Sequence, residues 1–456
     1  MNLIKLSWKN LLHKPLNMAL TLILFALGVG LISLLLNMNQ QIEENFNKNL
    51  AGIDLVLGAK GSPLQLILCS MYHVDNPTGN INIGKAKAFL NPKHPLIKDA
   101  VPLSLGDSYR NYRIVGTTYD ILEIYGAELA EGKLWANNME VTIGATVADV
   151  LHLHVGDTFK SSHGLVEGIE EHEHDFTVVG ILRPTGSVID QLILCNTQSI
   201  WDSHAVERPQ SDSLERSGNP ELTSGPQSAV GEETGQEHGG HEHSHDKVPP
   251  ASYDSLSLRK MADSDRLELM EHGDKDITAI LLRYKSRTNI RSLNMGRNIN
   301  ENTELLAASP PIEVARLQTN LGGGTKVLTQ LAGVIVFVSG LSIFISLFSS
   351  LRERKYELAL MRVMGGTPAT LFWVILLEGL ILAVLGYVLG IVLSHLGMMV
   401  LANFMEDSYR YSFSGLKFLK EEGWLFLGAL AVGFVAALVP AVQARGTDIS
   451  ETLGKG

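Results

Sequence analysis

Four histidines within eight residues, His238, His241, His243 and His245, form the densest set of possible ligands in this 456-residue chain. Glu242 and Asp246 flank them, and a second group sets His163, His172 and His174 beside Glu173 and Asp175. Neutral imidazoles next to carboxylates suit Zn²⁺, and also Ni²⁺ or Cu²⁺. The candidate metal ligands are therefore His238, His241, His243, His245, His172 and His174, with zinc the expected ion and no other cofactor bound directly. The competing reading is a solvent-exposed tract that binds metal weakly and to no purpose. Glu378 is the other group that could do chemistry, because it falls in an otherwise apolar stretch where charge is costly. Counted from Pro368 at ~1.5 Å per residue, it lies near the mid-depth of a bilayer. A proton relay needs a second acid, and the apolar stretches offer none. The expected role of Glu378 is to hold helices together, within one chain or at a dimer seam, and His395 reads as structural too. No nucleophile–base set stands out, and Gly322-Gly323-Gly324-Thr325-Lys326 lacks the spacing of a phosphate-cradling Walker A loop. The chain is not expected to be an enzyme.

The elements that must carry these groups are four long apolar runs split one and three by a polar segment. The runs are Leu16–Asn37, Val327–Leu351, Ala369–Met405 and Trp424–Val442. A hydrocarbon core of roughly 30 Å takes about 20 helical residues, and a helix satisfies its own backbone there. The expected fold class is a membrane protein with four transmembrane α-helices and a large extracytoplasmic α+β domain between helices 1 and 2. The segments are 1–40 (start and helix 1), 41–326 (external domain), 327–351 (helix 2), 352–368 (link), 369–405 (helix 3), 406–423 (external loop), 424–442 (helix 4) and 443–456 (tail). The first run exceeds a signal-peptide core and ends in Leu34-Leu35-Leu36-Asn37 without a small-residue cleavage pattern, so it is expected to stay as an anchor. Lys5, Lys9, Lys14, Arg352, Arg354, Lys355, Arg362, Arg445 and Lys455 put an excess of positive charge on the start, link and tail. Residues 38–326 instead hold 25 Lys and Arg against 39 Asp and Glu. Both termini and the link are then cytoplasmic. The net charge of −11 argues against a nucleic-acid partner.

Within the external domain, a helix is expected to continue from span one through Gln41 to about Val56. Tyr112–Gly116, Phe176–Leu182 and Ile277–Tyr284 read as strands, and Gly144–Leu151 as a short helix before a turn and strand at Val155–Phe159. Leu64 to Met71 is a candidate apolar face for a lipid-anchored substrate. Residues 203–276, which hold the His tract, lose apolar periodicity and read as a disordered insertion. Cys69 and Cys195 lie in apolar runs; an oxidising compartment would permit a disulfide, but buried free thiols are the favoured reading. In the link, Leu358, Leu360, Met361 and Val363 alternate with charge as in an amphipathic surface helix, which Gly365-Gly366-Thr367-Pro368 ends, with Thr367 as N-cap of helix 3. The link charges either anchor the span or, as Arg352, Glu353, Glu357 and Arg362, dock a partner.

Several stretches, taken in order, resemble the FtsX-like, MacB-type permeases of ABC transporters. WKNLLHKPLNMALTLILFALGVGL (8–31) is similar to that family's basic start and first span, and GATVADVLHLHVGDTF (144–159) and DFTVVGILRPTGSVID (175–190) to its periplasmic core domain. RERKYELALMRVMGGTPATLFWVILLEGLILAVLGYVLG (352–390) resembles its link and third span, and PAVQARGTDISETL (440–453) its ending. The resemblance implies a permease subunit of the bacterial inner membrane, with a separate cytoplasmic ABC ATPase and a second permease copy or a related permease. It favours docking as the role of the link. It also implies mechanotransmission to the external domain, with a lipoprotein, a peptide or an efflux compound handed to a periplasmic partner. The alternatives are a non-transporting regulator of a periplasmic enzyme and a zinc-linked transport component.

Overall fold

The computed structural model describes residues 3–163, 171–205, 254–409 and 414–446. The chain divides into two compact units, one of Met1–Lys48 with Val314–Gly456 and one of Asn49–Glu313.

In the first unit, four helices among the described residues are long and apolar enough to cross a membrane: Pro15–Leu50, Pro310–Glu353, Pro368–Tyr409 and Lys420–Arg445. Two short helices, Leu3–Leu12 and Lys355–Val363, complete it. Each long helix exposes a row of large apolar side chains, such as Leu20, Ile23 and Leu27 on the first and Val435, Val439 and Val442 on the fourth. Those rows suit lipid. The inner faces bury Phe25, Val29, Leu347, Leu371, Ile375 and Ala437. Helices in lipid gain nothing from expelling water, so they associate where small residues let backbones approach. A Cβ on Gly433 would come within 2.5 Å of the Ala383 Cβ, and one on Gly30 within 2.9 Å of the Gly390 carbonyl oxygen.

The second unit is built on strands β1 (Leu55–Ala59), β2 (Ile81–Asn82), β3 (Ile97–Tyr109), β4 (Tyr112–Thr117), β5 (Leu129–Gly132), β6 (Glu140–Ile143), β7 (Thr158–His163), β8 (Glu171–Leu182), β9 (Ile193–Cys195), β10 (Asp276–Ile277), β11 (Ala279–Tyr284) and β12 (Leu305–Ala308). The main sheet runs β12-β1-β11-β3-β4-β9-β6-β8-β5, with β7 beside β3 and β8; β2 and β10 pair separately. The β4/β9 and β6/β8 pairs are parallel. Two apolar cores fill it, one around Leu57, Ile83, Leu90 and Ile280, the other around Ile114, Phe159, Phe176 and Val178. The strands expected at 112–116 and 176–182 and the helix at 144–151 form, the last as Ala145–Leu151, whereas the strand expected at 277–284 is interrupted at Thr278 and divides between β10 in the small sheet and β11 in the main one.

Three expectations need correction. The helix leaving span one ends at Leu50, and Leu55–Ala59 is a strand, because its apolar run pairs on both sides in the sheet. Leu64 to Met71 lies in the helix Pro63–Met71, capped by Ser62, whose Leu66, Ile67 and Met71 are fully buried. It packs the domain, leaving only Leu64 and Leu68 among its apolar residues half-buried. The insertion read at 203–276 is too wide: Ser255–Leu269 is a helix, capped by Asp254, that buries Leu258, Ala262 and Leu269 on one face. Residues 206–253, with His238, His241, His243 and His245, lie outside the described residues. Cys69 and Cys195 are buried free thiols.

Candidate functional site

The link and the residues it touches build one polar cluster in the membrane unit. Helix Pro310–Glu353 breaks at Arg354, which caps the link helix Lys355–Val363. That helix buries Leu358 and Ala359 and half-buries Met361 against the bundle. Tyr356, Leu360 and Val363 are exposed, so the apolar set read from the sequence divides between two faces. Gly365, at φ 97°, follows in a conformation that disfavours other residues. Thr367 then caps the third long helix, its Oγ1 accepting from the Thr370 amide at 3.2 Å, with Pro368 at the first helical position.

Glu378 is 1% exposed, and its Oε1 accepts from Asn10 Nδ2 at 2.8 Å. Arg354 Nη1 lies 3.6 Å from the same oxygen, while its Nε meets Glu357 Oε2 at 3.2 Å. Glu353 is paired with Lys14 and accepts from Ser349 Oγ at 3.2 Å. Ser7 Oγ donates to the Val374 carbonyl at 3.0 Å. The N-terminal helix is thus pinned to the third long helix by two hydrogen bonds, and the link reaches the same carboxyl through Arg354. Lys14, Ser346, Ser350 and Glu378 line a cavity of about 20 Å³, room for one water. The partners of Glu378 come from the N-terminal helix and the head of the link. Of the coupling residues named from sequence, Glu353 and Glu357 take part in this network, Arg352 is exposed and Arg362 half-buried. Arg354, read as an anchor, turns inward.

A second acid, unlike Glu378, is buried without standing in an apolar stretch of the sequence. Glu422, in the first turn of Lys420–Arg445, is 4% exposed and accepts from Ser33 Oγ at 3.0 Å. His395 Nε2 lies 3.4 Å from its Oε1, and Tyr387 OH donates to its backbone carbonyl at 3.1 Å. Its place in a Lys-Glu-Glu run disguised it as loop charge. The available signal was its spacing, seven residues before Ala429 on the small-residue face that continues through Gly433 and Ala436.

His174 lies exposed on β8, whose strand also includes position 172. Among the described residues no group of three or more His, Cys, Asp or Glu could hold a metal ion.

Family models match the chain in two places: the MacB-like periplasmic core domain over residues 18–217 and the FtsX-like permease C-terminal over residues 330–449. Among solved structures, a crystallised domain of a protein named as a permease, from Porphyromonas gingivalis, is 12% identical. The match covers 57% of this chain and 90% of that one at a TM-score of 0.25, too slight a likeness to argue from. No curated protein matches.

Proposed function

This chain belongs to the FtsX-like, MacB-type permeases, and from that premise we propose that it couples ATP hydrolysis on a separate cytoplasmic ATPase to movement of its external domain. It is an ABC-type permease and a multi-pass protein of the inner membrane. The observation that carries the coupling reading is the two-faced link helix. One face packs on the bundle through Leu358 and Ala359, and the other leaves Tyr356, Leu360 and Val363 uncovered beside the link charges. An ATPase gripping the outer face would move Arg354, and with it Glu378 and the N-terminal helix. Arg352, Glu353, Glu357 and Arg362 are the proposed polar contacts. The basic start, link and tail support cytoplasmic termini. In this reading two permease chains, identical or related, stand over two ATPase copies, and the external domain works on a lipoprotein, a peptide or an efflux compound. A metal role for His172, His174 and the 238–245 tract rests on sequence alone. Its check is growth under zinc limitation and excess with residues 206–253 deleted.

The test is co-purification in detergent with a cytoplasmic ABC ATPase co-expressed from the same cells. Leu360→Arg is expected to lose the ATPase, about tenfold or more, while inserting normally. Glu378→Ala should keep the complex but lower its ATP hydrolysis, because the half-buried groups of Asn10 and Arg354 lose their shared partner. Full co-purification of Leu360→Arg would remove the link as the docking element.

A further inference from the structure

We propose that the external domain holds an extended, acid-bearing segment of a partner polypeptide in a groove along the helices Ile290–Leu293 and Met295–Asn302. The inference rests on that domain alone and not on ATPase coupling. The groove measures about 690 Å³, and Phe89, Leu96, Met295 and Ile299 give it an apolar floor. Asn294, Asn298 and Asn302 line it at every fourth residue. Asn302 is occupied, donating from Nδ2 to the Asn298 carbonyl at 3.0 Å. Among the described residues, the side-chain amides of Asn294 and Asn298 have no hydrogen-bond partner, and both residues are exposed.

A side-chain amide carries an N–H donor and a C=O acceptor, the complement of a residue in an extended chain. The same helix already makes this pairing. Asn300 donates from Nδ2 to the Ala307 carbonyl at 2.9 Å and accepts at Oδ1 from the Ala307 amide at 2.7 Å, so it grips one residue of β12. Helical bonding runs unbroken through the junction: the Asn294 amide donates to the Ile290 carbonyl and the Asn298 amide to the Asn294 carbonyl, both at 3.0 Å. Asn294 and Asn298 therefore stand about 6 Å apart along the axis. Two residues of extended chain advance roughly 6.6 Å, so alternate residues of one strand meet the two amides in turn. Alternate side chains of that strand share a face, which matches the apolar floor. An acyl chain laid there would cover both amides and satisfy neither.

The charge of the groove defines the partner further. Arg291 is exposed on its lining, with no carboxylate in ion-pair reach among the described residues. The acids near the helix end are taken, Glu301 by Arg297 and Glu304 by Lys85. His94 accepts at Nδ1 from the Leu96 and Ile97 amides, so its neutral ring carries the hydrogen on Nε2 and can donate. Lys285 Nζ donates to the His94 carbonyl at 2.8 Å and adds positive charge there. The described lining thus offers donors and a cation but no acid, and an acidic group on the partner complements it.

The experiment exposes the full chain, immobilised in lipid nanodiscs, to a synthetic pool of octapeptides. The peptides alternate Leu, Val or Phe with Ser or Thr and end in Glu, and retention is read by mass spectrometry. Wild type is expected to retain the pool about tenfold better than Asn294→Ala/Asn298→Ala, which removes two amides at exposed positions. A pool methylated at every backbone nitrogen should lose that advantage. Arg291→Glu should reverse the preference, retaining a pool ending in Lys over the one ending in Glu. That reversal is a gain of binding and cannot come from misfolding. Equal retention by wild type and the double variant would overturn the proposal. Full retention of the methylated pool would do the same, by reducing the groove to apolar contact, and an unreversed order in Arg291→Glu would overturn the acidic partner.

Discussion

His73 lies inside the external domain at φ 54°, and burial pushes its pKa down to about 3, with the Arg113 guanidinium acting in the same direction. Arg113 is itself buried and donates from Nη2 to the Asp75 carbonyl at 2.8 Å. The folded value of His73 lies below the roughly 6.5 of an unfolded chain. Between the two, the unfolded chain takes up a proton that the folded domain refuses. Stability is therefore complete above about pH 6.5 and drains away as pH falls toward 3, by at most about 1.4 kcal/mol per pH unit. His73→Asn keeps a residue that tolerates positive φ and removes the titration. Thermal unfolding of the full chain should then show a smaller loss between pH 7 and 4 than wild type; parallel losses would place the acid sensitivity elsewhere. The thiols make a second prediction at this scale. Burial raises the pKa of Cys69 to about 11 and that of Cys195 as well. Neither should react with maleimide at pH 8 until the protein is unfolded in detergent, and rapid native labelling of either would count against its burial.

Among the elements, the third and fourth long helices touch through small residues, and that contact is directly testable. Gly433→Leu drives carbon into Ala383, whereas nothing lies within 4 Å of a Cβ on Gly428. Overpacking at the first site should cost about 1–3 kcal/mol and lower the melting temperature in detergent, while Gly428→Leu should be tolerated. Equal effects would mean that the seam does not hold the bundle. The four spans could be read directly because length without charge is a property of contiguous residues. The strands at 112–116 and 176–182 were legible for the same reason, as β-branched runs between breakers. What escaped depends on distant partners. The burial of Glu422 needs Ser33 and His395, far away in sequence, and the helix Ser255–Leu269 spreads its apolar residues thinly along one face of a polar stretch. The order of the sheet escaped likewise, since β1 pairs with β12 across most of the external domain's sequence. Glu378 is legible as an acid among apolar residues. Its bond to Asn10 was invisible, because Asn10 belongs to a helix at the other end of the chain.

For the molecule as a whole, the proposed orientation predicts that a fluorescent protein fused after Arg445 matures in the cytoplasm. Alkaline phosphatase inserted near residue 412 should be active outside it; the reverse pattern would invert the topology and remove the link from the ATPase's reach. In the sheet, the first and last strands set how the domain meets a pull on its two connections. β1 and β12 pair with Val56 opposite Ala308 and Ala59 opposite Leu305, so the chain enters and leaves the external domain at the same end of one ladder. Tension that draws those two connections apart opens the ladder rung by rung, as a zipper parts, instead of shearing every rung at once. β1 is also held by β11, whereas β12 is the outermost strand of the main sheet. The exit strand is therefore a mechanical fuse: under pulling it peels first and at low force, and the body of the domain stays folded behind it.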